Sequence, residues 1–187
     1  MKKTVKLYFE KPVNAKINMD GGQFGDARHG RTHKGLDYSA PPNTDVKASE
    51  KGKVVYSGNR PYRPGGDNNL GNTIVIDHTD GVPEDQRHIY TVYAHLNTRS
   101  VSVDRKVSQG ETIGASGNSG MKAAYEGKKS GFHLHFEVID SATKMDWNMG
   151  WPRENRKNPI GYLDRITTVG YELPDDKKTG TGVGFPI

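Results

Sequence analysis

The chain predicts a mainly β protein built from antiparallel strands, and three observations carry that reading. Short apolar segments rich in β-branched and aromatic residues recur along it, separated by glycine, asparagine and aspartate, the pattern of strands joined by turns. No segment keeps the 3.6-residue apolar period of a long helix. The 23 glycines and 10 prolines among 187 residues supply turn punctuation without reaching the level of a disordered chain.

Taken in order, residues 1–20 read as a lead-in, with Val5-Lys6-Leu7-Tyr8 alternating weakly as a strand. Lys53-Val54-Val55-Tyr56, Thr73-Ile74-Val75-Ile76 and Ile89-Tyr90-Thr91-Val92-Tyr93 supply the clearest strands of the body. Phe132-His133-Leu134-His135-Phe136-Glu137-Val138 is a further strand, and residues 159–165 have room for one short helix or turn. No linker-like break interrupts residues 21–169, which are expected to form one domain with a core of ordinary size. From residue 170 onward Asp175-Asp176-Lys177-Lys178-Thr179-Gly180-Thr181-Gly182 reads as a polar, flexible tail. Hydrophobic residues make up only 32% of the chain and its mean hydropathy is −0.82, so much of the length must be loops and solvated strand faces.

Composition narrows the chemistry. Lysine and arginine outnumber aspartate and glutamate by 27 to 22, giving a net charge of +5 and a pI near 9.3. Such a surface suits an anionic partner, and equally suits simple solubility. No run of basic residues interleaved with aromatics is present, so nucleic-acid binding is not expected. Cysteine is absent, which excludes disulfides and a thiolate metal site. Met1-Lys2-Lys3 resembles the start of a secretory signal, but Lys6, Glu10 and Lys11 break the apolar core that a signal needs. No stretch is long and apolar enough to span a membrane, so no membrane insertion is expected.

Four histidines and an aspartate form the chemical signature. They lie in His33-Lys34-Gly35-Leu36-Asp37, Tyr93-Ala94-His95-Leu96 and His133-Leu134-His135. Strand residues two apart share a face, so His133 and His135 project together. Four extended residues would separate His33 from Asp37 by about 13 Å, and Gly35 is expected to let the chain bend so that the two converge. A catalytic zinc keeps three protein ligands and one open position. His33, Asp37 and one histidine of the pair would make such a set, leaving the other histidine and His95 for proton transfer or hydrogen bonding.

The remaining candidates have plainer readings. His29 is expected in a solvated loop that approaches His33, His78 as a turn-stabilising residue, and His88 without a role. Glu137 shares the face of His135 and could support it, although a solvated or structural carboxylate is the more ordinary outcome; Asp45 and Asp77 have no stronger reading. Trp147 and Trp151 could stack on sugar rings, with packing beneath a loop the simpler reading. Tyr62 and Arg63 sit in a loop that could wall a groove.

Together with Thr32, Tyr38, Gly71-Asn72-Thr73-Ile74-Val75-Ile76-Asp77-His78 and Ile113-Gly114-Ala115-Ser116-Gly117-Asn118-Ser119-Gly120, these motifs resemble the lysostaphin-type (LytM-like) zinc metallopeptidases, which cut peptide bonds of bacterial peptidoglycan. The resemblance runs in unbroken order from about residue 24 to about residue 163. It implies an antiparallel sheet crossed by a groove, with few short helices, and a catalytic domain over residues 21–169. By position it implies zinc ligands at His33, Asp37 and His135 and catalytic histidines at His95 and His133. None of the five is substituted, unlike degenerate relatives that serve as regulators. Residues 82–88 look inserted, residues 120–132 are longer than the usual turn, and the family's arginine comes one place late as Arg28. These departures are expected to bear on specificity rather than chemistry.

The implied activity is zinc-dependent cleavage of the peptide stems or cross-links of peptidoglycan, by a monomer. Alternatives are a non-catalytic wall-binding or regulatory module on the same fold, and a zinc peptidase acting on glycine-rich bridges or proteins. The missing signal core leads to the expectation of a phage-lysis enzyme or delivered toxin, with delivery machinery or an immunity protein as partners, that acts in the periplasm or at the wall.

Overall fold

The structure is a computed structural model, described over residues 1–28, 31–64, 69–147 and 154–173. Strand β1 (Lys2–Tyr8) is followed by the short pair β2 (Ala27–Arg28) and β3 (Arg31–Thr32), then β4 (Leu36–Tyr38) and β5 (Asp45–Lys47). The long strands β6 (Gly52–Arg60), β7 (Gly71–Asp77) and β8 (His88–Arg99) come next, and then β9 (Lys106–Val107) and β10 (Thr112–Ser116). A single helical turn α1 (Lys122–Tyr125) precedes β11 (Leu134–Ser141) and β12 (Arg156–Lys157). A 3-10 turn at Pro159–Gly161 leads to β13 (Ile166–Glu172). The mainly antiparallel fold with few, short helices is the one the sequence predicts.

The central sheet runs β12-β11-β8-β7-β6-β9, with β4 added beside β11 and β10 bridging β8 and β5. Alternation along its strands sends side chains to two faces. Leu134, Phe136 and Val138 of β11 join Ile74, Ile76, Tyr93, Leu36 and Tyr38 in the larger core, which Leu7, Phe9 and Val169 also enter. Ile139 points the other way and packs with Val75, Tyr90, Val92 and Trp147. His133, His135 and Glu137 share the face of Ile139, so the functional side chains stand on the side opposite the main core. Trp147 is buried edge-on against Tyr90, in line with packing rather than sugar stacking; Trp151 lies outside the described residues.

The first strand meets the last of the described ones. β1 pairs antiparallel with β13 from Lys2 opposite Glu172 to Tyr8 opposite Ile166. The strand thus carries Gly170, Tyr171 and Glu172 past the boundary expected at residue 169, because Leu7 and Val169 anchor the ladder in the core. Residues 82–88 fasten this ribbon to the sheet. Arg87 donates to both carboxylate oxygens of Asp140, at 2.8 and 2.7 Å, and Gln86 exchanges hydrogen bonds with the backbone of Glu172. His88, left without a role by the sequence, is buried with its Nδ1 3.1 Å from Asp77 and 3.0 Å from Thr79. His78 is likewise buried, between the Lys51 carbonyl and the Thr91 hydroxyl.

One glycine couples this frame to the site. Gly71 has φ +61, and a Cβ there would overlap the backbone of Ser119. Ser119 in turn accepts from Asn72 N at 2.8 Å and donates to Leu96 O at 2.6 Å, which draws its loop onto β7 and β8. Gly71→Ala combines left-handed strain with overpacking and is expected to destabilise the fold by about 2–4 kcal/mol. Urea denaturation checks this; a change below about 0.5 kcal/mol would mean that the Ser119 loop yields freely.

Candidate metal centre

Strand register brings the first two functional groups together. Asp37 of β4 lies directly opposite His135 of β11, and facing residues of antiparallel strands hold their Cβ atoms about 5 Å apart. His33 follows β3, where its N–H donates to Asp26 O at 2.8 Å and its carbonyl accepts from Gly25 at 2.9 Å. The backbone of Asp37 is pinned by Gly22 O and Asn18 N, each at 2.8 Å.

Gly35 serves differently from the sequence expectation. Its φ is not in the left-handed region, so it provides no bend that other residues lack. A Cβ there would collide with the Phe136 carbonyl and lie 2.9 Å from the His135 ring. The glycine is required by close approach of the His33-to-Asp37 segment to β11.

Three ligating atoms converge. Nε2 of His33, Oδ1 of Asp37 and Nδ1 of His135 are separated by 3.1, 2.8 and 3.0 Å. A tetrahedral ion with bonds of about 2.0–2.1 Å holds its donors roughly 3.3–3.4 Å apart, so this triangle has the dimensions of a metal site. Hydrogen bonds on the far sides of the rings fix their inward faces. His33 Nδ1 donates to Gln23 O at 2.8 Å, and His135 Nε2 donates to Glu137 Oε1 at 3.0 Å. Those oxygens can only accept, so each neutral ring carries its hydrogen outward and presents a lone pair inward. Two imidazole nitrogens and a carboxylate oxygen, all buried, therefore face one point.

The other two histidines complete the cluster. His95 sits in a bulge of β8, where Leu96 pairs with Asn72 and Tyr93 with Ile74. Its backbone is left-handed at φ 59, a conformation that costs a residue of this type about 1–3 kcal/mol. Its N–H donates to Leu70 O, and its Nδ1 donates to Ser119 O, both at 2.8 Å. His133 Nδ1 donates to Gly131 O at 2.8 Å, leaving its Nε2 3.7 Å from Asp37 Oδ1. The His95 and His133 rings lie 4.7 Å apart. All five residues singled out by the sequence are thus brought together; His29 lies outside the described residues.

Electrostatics follow from the crowding. Burial works against a charge on Asp37, but hydrogen bonds from His135 and His33, made when those rings carry an inward proton, outweigh it and hold the carboxyl far below the usual range. Burial likewise opposes a charge on His135, yet Asp37 and Glu137 on its two sides push it up to about 9. A proton on His135 and a metal ion are therefore competitors for the same position. Burial, then the neighbouring His133 and His135, push His95 well below its ordinary value. His133 is also lowered, chiefly by burial. Both are neutral at pH 7 and able to accept a proton.

Some supports escaped the sequence reading. Arg28 donates to Asp37 Oδ2 and to Gly21 O, giving the late arginine a partner that spacing could not show. Glu137 is buried rather than solvated, and its second oxygen accepts from Arg156 Nε at 2.8 Å. Ser119 stood in a quoted motif, but nothing in the sequence says that its carbonyl meets His95. Tyr62 lies against Tyr125 of α1 with ring centroids 5.2 Å apart, so the loops that carry them touch.

A model of peptidase family M23 matches residues 31–147. The peptidoglycan DD-endopeptidase ShyA of Vibrio cholerae is 36% identical over 107 residues, which are 57% of this chain and 20% of that protein. The chain spans about a fifth of the length of the curated relatives it matches. Among solved structures, the catalytic domain of lysostaphin from Staphylococcus simulans aligns with TM-score 0.58 and 26% identity, covering 81% of this chain and 94% of that one. A zinc-containing peptidase from Vibrio cholerae aligns with TM-score 0.55 and 28% identity over 78% of this chain and 40% of that one. The family match takes in His33, Asp37, His95, His133 and His135 and more than half of the sequence: the chain belongs to peptidase family M23.

Proposed function

We propose that this chain is a zinc-dependent endopeptidase that cuts the peptide stems or cross-links of bacterial peptidoglycan. The observation that carries the reading is the convergence of three fixed lone pairs beside two neutral imidazoles. His33, Asp37 and His135 are the ligands in it. Two imidazoles and a carboxylate also suit non-haem iron, but hydrolysis needs no redox metal, and membership of a peptidase family favours zinc. Zinc, when bound, supplies a Lewis acid that polarises the scissile carbonyl and acidifies water. The Ser119 and Gly131 carbonyls hold the Nδ1–H groups of His95 and His133, so both Nε2 atoms remain open to a proton. One of the pair takes the proton of the attacking water at Nε2 and, so protonated, passes it to the leaving amine; the other, when it carries a proton taken up from solvent, donates from Nε2 to the developing oxyanion. The similarity to ShyA, a peptidoglycan DD-endopeptidase, supports peptidoglycan as the substrate.

Replacing any one of His33, Asp37 and His135 by alanine is expected to lower zinc content sharply. His95→Ala and His133→Ala are expected to keep zinc and lose activity by a factor on the order of 10² or more. Elemental analysis and digestion of purified peptidoglycan check both. Undiminished zinc in His135→Ala would sink the ligand assignment. A parental digestion rate in either of the other variants would sink its catalytic role, and zinc binding without hydrolysis by the parent would favour a wall-binding module instead.

The bond expected to be cut is the cross-link from D-alanine to meso-diaminopimelate, so that dimeric muropeptides become monomers. Mass spectrometry of digested sacculi tests this. Dimers that persist while pentaglycine substrates are cleaved would overturn it.

A further inference from the structure

The four histidines of the cluster differ in what holds their outer nitrogens. His33, His95 and His133 donate to backbone carbonyls, of Gln23, Ser119 and Gly131. His135 alone donates to a side chain, the carboxylate of Glu137. That carboxylate divides its oxygens: Oε1 accepts from His135 at 3.0 Å and Oε2 accepts from Arg156 Nε at 2.8 Å. Both charged side chains are almost wholly buried, with relative exposures of 4% for Glu137 and 7% for Arg156. A buried ion pair of this kind adds little net stability over apolar packing, so its presence calls for another account. Register explains how it forms: Arg156 of β12 pairs with Ile139 of β11, diagonally beside Glu137 on the same face. Arg156 lies beyond the segment matched by the family model, which ends at residue 147.

We propose that Glu137 and Arg156 are positioning residues for the metal, with Arg156 fixing the orientation of the Glu137 side chain and Glu137 holding His135 in the tautomer that turns its Nδ1 lone pair on the ion. The proposal rests on the zinc site argued above. A carboxylate behind a ligating imidazole fixes the ring's orientation and raises its basicity, and loss of such a partner weakens metal binding about 10–100-fold. Arg156 balances the charge of Glu137 on one side of the site as Arg28 balances that of Asp37 on the other. Two carboxylates can therefore flank one imidazole without leaving an unpaired buried anion.

The experiment measures zinc dissociation constants by competition with a chelator, alongside the visible spectrum of the cobalt-substituted protein. Glu137→Gln, which keeps the side chain's shape and removes its charge, is expected to bind zinc about 10–100-fold more weakly and to shift the cobalt bands. Arg156→Gln is expected to weaken binding in the same direction. Because the arginine acts through the glutamate, the double variant should bind no worse than Glu137→Gln alone. Should the glutamine variants fail to fold, Glu137→Asp and Arg156→Lys keep the charges but alter the hydrogen-bond geometry, and carry the same expectations of weaker zinc and shifted bands. Parental affinity and unshifted bands in the folded Glu137 variant, or additive losses in the double variant, would overturn the proposal. His135→Ala separates this from failure of the zinc reading. If it loses zinc while Glu137→Gln binds normally, only the positioning role falls; if it keeps zinc, the ligand assignment itself has failed.

Discussion

The site depends on the register of β11 between β4 and β8. His135 faces Asp37 on one side and Ala94 on the other, and that alignment brings the carboxylate against the imidazole and the His95 bulge beside both. Because side chains alternate along a strand, a slip of one residue would exchange the two faces entirely. His133, His135 and Glu137 would turn into the main core, while Leu134, Phe136 and Val138 would face the site. The apolar half of β11 therefore enforces the polar half. Phe136, buried against Tyr93 and Tyr38, holds the register on which the His33, Asp37 and His135 cluster depends.

Once aligned, the groups create an electrostatic problem that a cation resolves. Lone pairs of His33, Asp37 and His135 stand about 3 Å apart in a buried setting, where unpaired acceptors are costly. The hydrogens that could separate them are committed outward, to Gln23 O and Glu137. Protonation of His135 relieves part of the conflict, which is why its pKa is pushed up to about 9. A divalent ion relieves it more fully, since it meets all three acceptors at once. The left-handed backbone of His95 belongs to the same picture: strain kept at a position where the bulge re-aims an imidazole.

Much of this was legible in the sequence, for identifiable reasons. Period-2 alternation in Phe132-His133-Leu134-His135-Phe136-Glu137-Val138 fixed which histidines share a face, because strand geometry is local. The convergence of His33 with Asp37 was legible as an outcome but not in its cause, since the demand on Gly35 comes from β11, almost a hundred residues away. Arg156 gave no signal: its role depends on β12 docking beside β11, and nothing in its neighbours' composition marks a buried cation. Glu137 was legible as a neighbour of His135 able to support it, but its burial and its pairing with a cation were not. The β1–β13 ladder was half visible, as a weak alternation at Val5-Lys6-Leu7-Tyr8, but its partner, running from the expected end of the domain into the expected tail, was not, because pairing at such separation leaves no local trace.

The longer segment over residues 120–132 reaches into the histidine cluster. Residues 120–132 were expected to bear on specificity rather than chemistry, yet Gly131 supplies the carbonyl that fixes the His133 tautomer. Asn118 ties the far side of that loop back, donating from Nδ2 to Ser130 O at 2.9 Å and to Lys128 O at 3.3 Å. Tyr125 of α1, itself 68% exposed, reaches the loop that carries Tyr62. Loop length and imidazole orientation are thus set by one hydrogen-bonded segment. A substitution that loosened the 118–131 connection would release the His133 ring, even where it touched neither His33, Asp37 and His135 nor the strands beneath them.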